Sequence, residues 1–336
     1  MFKKLSIPLF CIILLFFFLM DLSFGTVRIP FGKVIEILSG SEEVKNTWTY
    51  IVLNYRLPKA IAAVLTGMAL SVSGLMMQTL FRNPMAEAYV LGISSGASLA
   101  IAIAILGGAM LPDIILYYTT SVYGLVLVSI IGSMLLLLLI LLVSNRVKNS
   151  MTILIVGLMF GSFSNAIVSI LSYLSNAEQL KRYSLWMLGS LGNLSWEMIG
   201  IYSFIVIVGL FSCLSLFRTL DAFLLGDTYA TSLGINVKKS RNYIVIVTSL
   251  LAGASTAFVG PIAFVGLAIP HIARLLLQTS KHKELFVACV FLGGIIMLIC
   301  DILSQIKGEA FLLPINALTA LFGAPIVIYL LLRKKV

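Results

Sequence analysis

Charged side chains are scarce in this chain: Asp, Glu, Lys and Arg together make up 11% of its 336 residues. A soluble domain usually has about a quarter of its residues charged, so this composition excludes an ordinary globular enzyme. It also excludes a disordered chain, because disorder requires low hydrophobicity and dense charge. Hydrophobic residues instead make up 60% of the sequence, and the mean hydropathy is +1.10. These values predict an integral membrane protein.

Cysteine and histidine are also few. The four cysteines lie apart from one another in apolar runs, at Cys11, Cys213, Cys289 and Cys300. Because they form no CxxC pair, a disulfide framework or a thiolate metal site is not predicted, and we interpret them as small buried hydrophobic side chains. With only His271 and His282 present, a multi-histidine metal or haem site within one chain is not expected. The sequence therefore predicts neither a metal site nor a cofactor in this chain.

Long apolar runs without charges are what the sequence does contain. A helix needs roughly 20 mostly apolar residues to cross a membrane. The run 242–273 is interrupted at Gly260-Pro261, where proline removes a helical hydrogen bond and disfavours helix just before it. If both basic termini lie in the cytoplasm, the number of crossings must be even, and a division at Gly260-Pro261 gives ten. The predicted spans are 5–24, 60–81, 88–109, 117–143, 150–174, 196–217, 242–259, 262–280, 285–304 and 314–332.

The basic residues follow this topology. Lys and Arg number 23 against 13 Asp and Glu, which gives a net charge of +10. Most of these basic residues fall in the segments that the topology places in the cytoplasm, as the positive-inside rule requires. We therefore interpret the positive charge as a topology signal, and nucleic acid is not predicted as a partner.

Two polar segments between the predicted spans are long enough to be structured: 25–58 on the external side and 218–241 in the cytoplasm. In the second segment, Asp221 and Asp227 are each predicted to cap a short helix, and Gly234 is predicted to end it. The apolar faces of these helices would carry Phe223, Leu224, Tyr229 and Leu233. Apolar faces exposed in a cytoplasmic loop predict a docking surface for another protein.

Charged residues are missing from the middle of every predicted span. An ion-coupled secondary transporter usually has a carboxylate or a broken helix there, although sodium can be bound by carbonyl groups alone. Gly92–Gly96 matches the G-x-S-x-G pattern of a hydrolase at Ser94, but it begins an apolar run and is interpreted as a chance match. The sequence has no G-x-x-x-x-G-K-[ST] motif, so any ATPase must be a separate chain.

Several motifs follow one another in a characteristic order. They are Arg56–Lys59 (RLPK), Gly74–Gln78 (GLMMQ), Phe81–Glu87 (FRNPMAE), Leu91–Ala97 (LGISSGA), Trp186–Ser190 (WMLGS), Leu225–Ile235, Gly260–Arg274 and Leu313–Pro325. Their combination resembles the FecCD-type permeases of ABC importers for iron-siderophore, haem and cobalamin. The resemblance covers almost the whole chain from about residue 50 onward.

This resemblance implies an all-α, polytopic permease of the type II ABC importer architecture, with a single transmembrane domain over 1–336 and about ten helices. It implies a homo- or heterodimer with a second permease subunit, embedded in the lipid of the bacterial cytoplasmic (inner) membrane. It also implies two cytoplasmic ATPase subunits, which bind ATP and Mg, and an external substrate-binding protein.

The resemblance also assigns roles to particular residues. Arg56 and Lys59 match a basic pair, commonly two arginines, that receives acidic residues of the binding protein, and Lys307 is a candidate for a further family arginine that falls here at Gln305. The loop that couples to the ATPase is matched by Asp221, Phe223, Leu224, Asp227, Tyr229, Leu233 and Gly234. The cytoplasmic narrowing of the path is matched by Asn83, Met85, Ser150 and Met151. Asn83-Pro84 is equally compatible with a simple helix stop.

The predicted function is that of a permease subunit without enzymatic activity. It would move an iron chelate, either a siderophore or haem, into the cytoplasm by alternating access driven by the separate ATPase. Cobalamin import is the nearest alternative. The alternatives from other classes are an ion-coupled secondary transporter and an intramembrane hydrolase that uses Ser94.

Overall fold

The computed structural model describes residues 2–40, 45–108, 121–147, 150–305 and 313–333. Within these ranges the chain forms helices joined by short connections. In chain order they are α1 (Phe2–Ser23), α2 (Phe31–Leu38), α3 (Asn46–Ile51), α4 (Leu57–Leu80), α5 (Ile93–Leu106), α6 (Val122–Arg146), α7 (Ser150–Leu174), α8 (Ala177–Met187), α9 (Trp196–Leu214), α10 (Phe217–Leu224), α11 (Asp227–Ser232), α12 (Val237–Val259), α13 (Val265–Leu277), α14 (His282–Ser304) and α15 (Ile315–Arg333).

The helical, multi-pass fold predicted from the apolar runs is confirmed. Six helical runs in the described part of the chain are long and apolar enough to cross a membrane: Asn46–Leu80, Val122–Arg146, Met151–Leu174, Trp196–Leu214, Val237–Val259 and His282–Ser304. Four shorter apolar helices occupy the positions of the other predicted spans: Ile7–Ser23, Ile93–Leu106, Val265–Leu277 and Ile315–Tyr329. Because these four are shorter than the roughly 20 residues that a straight crossing needs, the count of ten stays a prediction.

The second long helix begins earlier than the sequence predicted. Instead of starting at residue 60, the helical run starts at Asn46 and continues through a π-turn, Val52–Arg56, into α4. Pro58 lies in the first turn of α4, where it cannot donate a helical hydrogen bond. The π-turn directly before it accommodates this missing bond, so the helix does not stop.

The predicted division at Gly260-Pro261 is confirmed. Helix α12 ends at Val259, and Gly260 has a φ of +82° that continues no helix. Helix α13 begins at Val265, directly after Phe264, which has a φ of +69°. The interruption therefore separates a long helix from a shorter one.

Helix α4 lies at the centre of the bundle. In the most apolar stretch of the run Asn46–Leu80, 83% of the residues are buried, against 22% in the corresponding stretch of α7. Two glycines of α4 touch the backbone of neighbouring helices: a Cβ at Gly67 would lie 2.1 Å from the carbonyl oxygen of Gly293, and one at Gly74 would lie 1.8 Å from that of Gly266. Such contacts between small residues let spanning helices approach closely, so α4, α13 and α14 form one packed unit.

Candidate functional site

The segment 218–241 contains two short helices, as predicted, but their caps differ from the prediction. Asp221 lies within α10, and its Oδ1 accepts the backbone N–H of His282 at 3.0 Å and pairs with His282 Nδ1 at 2.6 Å. Asp221 therefore caps the distant helix α14 rather than its own. The N-cap of α11 is Gly226 and not Asp227, which is the first helical residue. Gly234 follows α11 with a φ of +79°, which fits the predicted stop.

Asp227 holds this loop against two other elements. Its carboxylate forms ion pairs with Arg82, directly after α4, and with Arg241 of α12, whose Nη2 lies 3.7 Å away. The loop is therefore attached to the end of α4 at the same end of the bundle. We call this end, which carries α10, α11 and residues 81–87, the loop end.

The apolar residues of the loop divide into an exposed group and a buried one. Leu224, Tyr229 and Leu233 are exposed, and Leu233 has 58% of its surface accessible. Phe223 is only 2% exposed, so the prediction that it lies on an exposed apolar face is wrong. It lies on the side of α10 that packs into the core. The sequence analysis missed Leu225, which is also exposed and is part of the quoted motif Leu225–Ile235.

The predicted gate residues lie mostly at the surface of the loop end. Asn83 Oδ1 accepts the backbone N–H of Met85 at 2.9 Å, which stabilises the turn after α4. The side chains of Met85 and Met151 are exposed. Ser150 is the first residue of α7, and its side chain lies outside the described residues.

Sequence reasoning also missed Glu87, a buried carboxylate that connects the turn after α4 to α13. Its Oε1 accepts the backbone N–H of Gly266 at 3.1 Å, in the first turn of α13, where a negative charge is favoured by the helix dipole. Nearby, His271 Nε2 donates to the carbonyl oxygen of Pro84 at 2.9 Å. Burial raises the pKa of Glu87 to about 7, although hydrogen bonds from the backbone N–H groups of Gly266, Phe264 and Leu267 act against this rise. The lone acid in the motif Phe81–Glu87 was the available signal.

The raised pKa predicts a pH-dependent stability that Glu87→Gln should remove. The folded-state pKa of about 7 lies above the ordinary value of 4.5 for a glutamate side chain, so the folded protein binds the proton more tightly than the unfolded chain. The contribution of Glu87 to the free energy of unfolding is fully present below its pKa in the unfolded chain and is lost as the pH rises through 7. Its size is about 1.4 kcal/mol for each unit by which the two pKa values differ. The thermal midpoint of the detergent-solubilised protein should therefore fall between pH 5 and pH 8. The same fall in the Gln variant would contradict this assignment.

Arg56 and Lys59 lie at the other end of α4, which we call the Arg56 end. Arg56 is 8% exposed, and it donates from Nη1 to the carbonyl oxygens of Leu22 at 2.8 Å and Ser23 at 2.9 Å and from Nη2 to that of Val27. The last carbonyl groups of α1 need donors, and the guanidinium group of Arg56 supplies them, so its contact with the binding protein stays a prediction.

Lys59 has a different environment. Its Nζ lies 2.8 Å from Asp301 Oδ1, and Gln305 Nε2 donates to Asp301 Oδ2 at 3.2 Å and to Asp21 Oδ1 at 3.5 Å. These groups border a cavity of about 680 Å³ that Lys59, Arg56, Asp301 and Gln305 help to line. Lys307 lies outside the described residues.

The structure contradicts the hydrolase hypothesis for Ser94. Ser94 is buried in α5, and its hydroxyl lies 3.1 Å from Thr256 Oγ1. A serine nucleophile needs a general base within hydrogen-bond reach. The two histidines instead contact Pro84 in one case and Asp221 and Thr79 in the other.

The structure is a multi-pass helical bundle with an apolar loop surface at one end and a charged cavity at the other, an arrangement that fits a membrane transport subunit. The family model of the FecCD transport family matches residues 13–333 of this chain. The chain therefore belongs to the FecCD transport family and is an ABC transporter permease.

Individual relatives agree with this assignment. The chain is 33% identical to the hemin transport system permease protein HmuU of Yersinia pestis, over 85% of this chain and 84% of the relative. It is 35% identical to the vitamin B12 import system permease protein BtuC of Photorhabdus laumondii, over 86% and 84% respectively. Among solved structures, it is similar to an inward-facing ABC transporter of the proposed metal-chelate type, with a TM-score of 0.85, 25% identity and coverage of 99% of this chain and 100% of the other.

Proposed function

We propose that this chain is the membrane-spanning subunit of an ATP-driven importer for an iron chelate, either a siderophore or haem. Its family and its similarity to a hemin permease and to a transporter of the proposed metal-chelate type support this substrate class. Comparable identity to vitamin B12 permeases makes cobalamin the second candidate.

The observation that carries a transport role is a polar stripe on α7. Ser162, Asn165 and Ser169 are exposed on this helix at spacings of three and four residues, which places them on one face. The hydroxyl groups of Ser162 and Ser169 donate back to the carbonyl oxygens of Leu158 and Asn165. These intrahelical bonds satisfy the serines, but the exposed amide of Asn165 is unfavourable against lipid and is typical of a protein contact or a water-accessible interior. We infer that this face lines the solute path and that a second permease subunit closes the path from the other side.

The loop end supports the proposal of an ATPase partner. Leu224, Leu225, Tyr229 and Leu233 are exposed together on α10, α11 and the residues that follow each helix, and an apolar patch of this kind fits a protein partner. We propose that this end lies in the cytoplasm with both termini, that the membrane is the bacterial inner membrane, and that the ATPase binds the ATP and Mg. The permease itself then contributes no chemical step.

The Arg56 end supports the proposal of an external binding protein. Lys59 has a side chain that is 20% exposed at the cavity and pairs there with Asp301, so an acidic partner would share this ammonium group with Asp301. Arg56 contributes by fixing the end of α1 at the wall of this cavity. Lys307, two residues after the cavity residue Gln305, stays a proposed contact with the binding protein.

Reconstitution tests this function directly. The chain, its ATPase and its binding protein would be incorporated into proteoliposomes and supplied with a labelled iron-siderophore, haemin or cobalamin. We expect uptake of an iron chelate that requires both ATP and the binding protein and that persists when ion gradients are collapsed. Uptake of cobalamin alone would favour the second candidate. Uptake driven by a sodium or proton gradient without the ATPase would contradict the proposal.

A further inference from the structure

A buried chain of hydrogen bonds connects the surface of α10 to the ends of two long helices. Asp221, whose side chain is 45% exposed, pairs with His282 Nδ1 at 2.6 Å. The other ring nitrogen of His282, Nε2, lies 2.7 Å from Thr79 Oγ1. His282 and Thr79 are each 1% exposed. The contacts therefore lead from the loop surface into the interior of the bundle.

The two inner members of this chain sit where the long helices end. Thr79 lies in the last turn of α4, and its Oγ1 also lies 3.0 Å from the carbonyl oxygen of Leu75. His282 is the first residue of α14, and its backbone N–H donates to Asp221. A displacement of α10 therefore acts on α4 through the ring and on α14 through both the ring and the backbone.

The neighbouring packing lets such a displacement travel further. Gln78, next to Thr79, donates from Nε2 to the carbonyl oxygen of Leu267 in α13 at 3.1 Å. Helices α4 and α14 are in backbone contact at Gly67 and Gly293, and tightly packed interiors transmit strain instead of absorbing it. The end of α4 therefore joins α10, α13 and α14.

The parallel contact at the loop end is weaker. In the Arg82–Asp227 ion pair both side chains are nearly half exposed, at 47% and 44%. Exposed pairs are screened by salt and contribute little. In the Asp221–His282 contact the imidazole is only 1% exposed, so this hydrogen bond is sheltered from water on the His282 side and is stronger and more directional than a pair exposed on both sides. The Asp221–His282–Thr79 chain is accordingly the firmer connection.

We propose that His282 is a positioning residue that transmits movement of α10 to the ends of α4 and α14, and so couples ATP hydrolysis in the partner to movement of the spanning helices. This inference rests on the proposed function, because it assumes that an ATPase binds α10 and α11. His282 itself touches neither ATP nor the transported solute. Its role is to hold α10 and the ends of α4 and α14 in fixed positions relative to one another, so that they move together.

The test uses Thr79→Val, which keeps the shape of the side chain and removes the hydroxyl that His282 contacts. In the complete reconstituted complex, we expect basal ATP hydrolysis within twofold of the wild type and a fall of about fivefold in solute transported per ATP, as expected for one lost hydrogen bond. Thr79→Ser restores a hydroxyl and should restore the ratio. Thr248→Val is the matched control, because Thr248 is also buried and its hydroxyl has no hydrogen-bond partner among the described residues.

The outcomes separate this proposal from the function on which it rests. A wild-type complex that does not couple uptake to ATP hydrolysis would overturn the proposed function. A coupled wild type with an unchanged transport-to-ATP ratio in Thr79→Val would overturn only the role of His282. An equal fall in Thr79→Val, Thr79→Ser and Thr248→Val would show general sensitivity of the core and would also overturn it.

Discussion

Replacement of Gly74 by alanine should prevent the bundle from folding. A Cβ at this position would lie 1.8 Å from the carbonyl oxygen of Gly266 and 2.6 Å from its Cα. The obstructing atoms are backbone, so a side-chain rotation cannot relieve the clash. Overpacked cores usually lose about 1–3 kcal/mol, and we expect a loss above this range because two packed helices must separate. The measurement is the yield of monodisperse protein in size-exclusion chromatography together with the thermal midpoint.

Gly200→Ala provides the matched control for this change. Gly200 lies in α9, and nothing lies within 4 Å of a Cβ built there. Alanine is a better helix former than glycine by about 1 kcal/mol, so this variant should fold at least as well as the wild type. If Gly74→Ala instead gave a normal yield and midpoint, the close packing of α4 on α13 would be incorrect.

The second large effect is expected at Leu233. This side chain is 58% exposed directly after α11, so Leu233→Asp should leave folding and membrane insertion intact. If the residue is buried against the ATPase, a carboxylate there should cost roughly 3 kcal/mol or more, which is about a hundredfold in affinity. We therefore expect the purified permease to lose its bound ATPase and its ATP-driven transport.

A conservative change at the same position distinguishes docking from local structure. Leu233→Met keeps an apolar side chain of similar volume and should retain the ATPase. Normal co-purification and transport by the Asp variant would remove Leu233 from the proposed contact surface. A misfolded Asp variant, detected by its size-exclusion profile, would contradict the expectation that this residue is peripheral to the fold.

Local patterns in the sequence were sufficient for the helices and for one interruption. Apolar runs predicted the long helices because a spanning segment must be apolar over most of its length. Gly260-Pro261 predicted the break between α12 and α13 because both residues act on the backbone at their own position. The start of the second long helix was misplaced, since the π-turn before Pro58 is a compensation that the pattern of residues does not reveal.

Contacts between distant parts of the chain could not be predicted in this way. Asp221 has the residue type of a helix cap, but the helix that it caps begins 61 residues later. Phe223 lies in an eight-residue helix, which is too short for periodicity to identify the buried face. The burial of Arg56 could not be predicted, because its carbonyl partners at residues 22–27 are brought to it only by the fold.

The position of Arg56 also has a consequence for the order of assembly. The end of α1 is completed by a guanidinium group that lies 33 and 34 residues further along the chain than Ser23 and Leu22. Carbonyl groups at a helix end need donors, so other donors must serve these groups until Arg56 packs against α1. The hydrogen bonding at the end of α1 is therefore completed only when the second long helix has packed beside it.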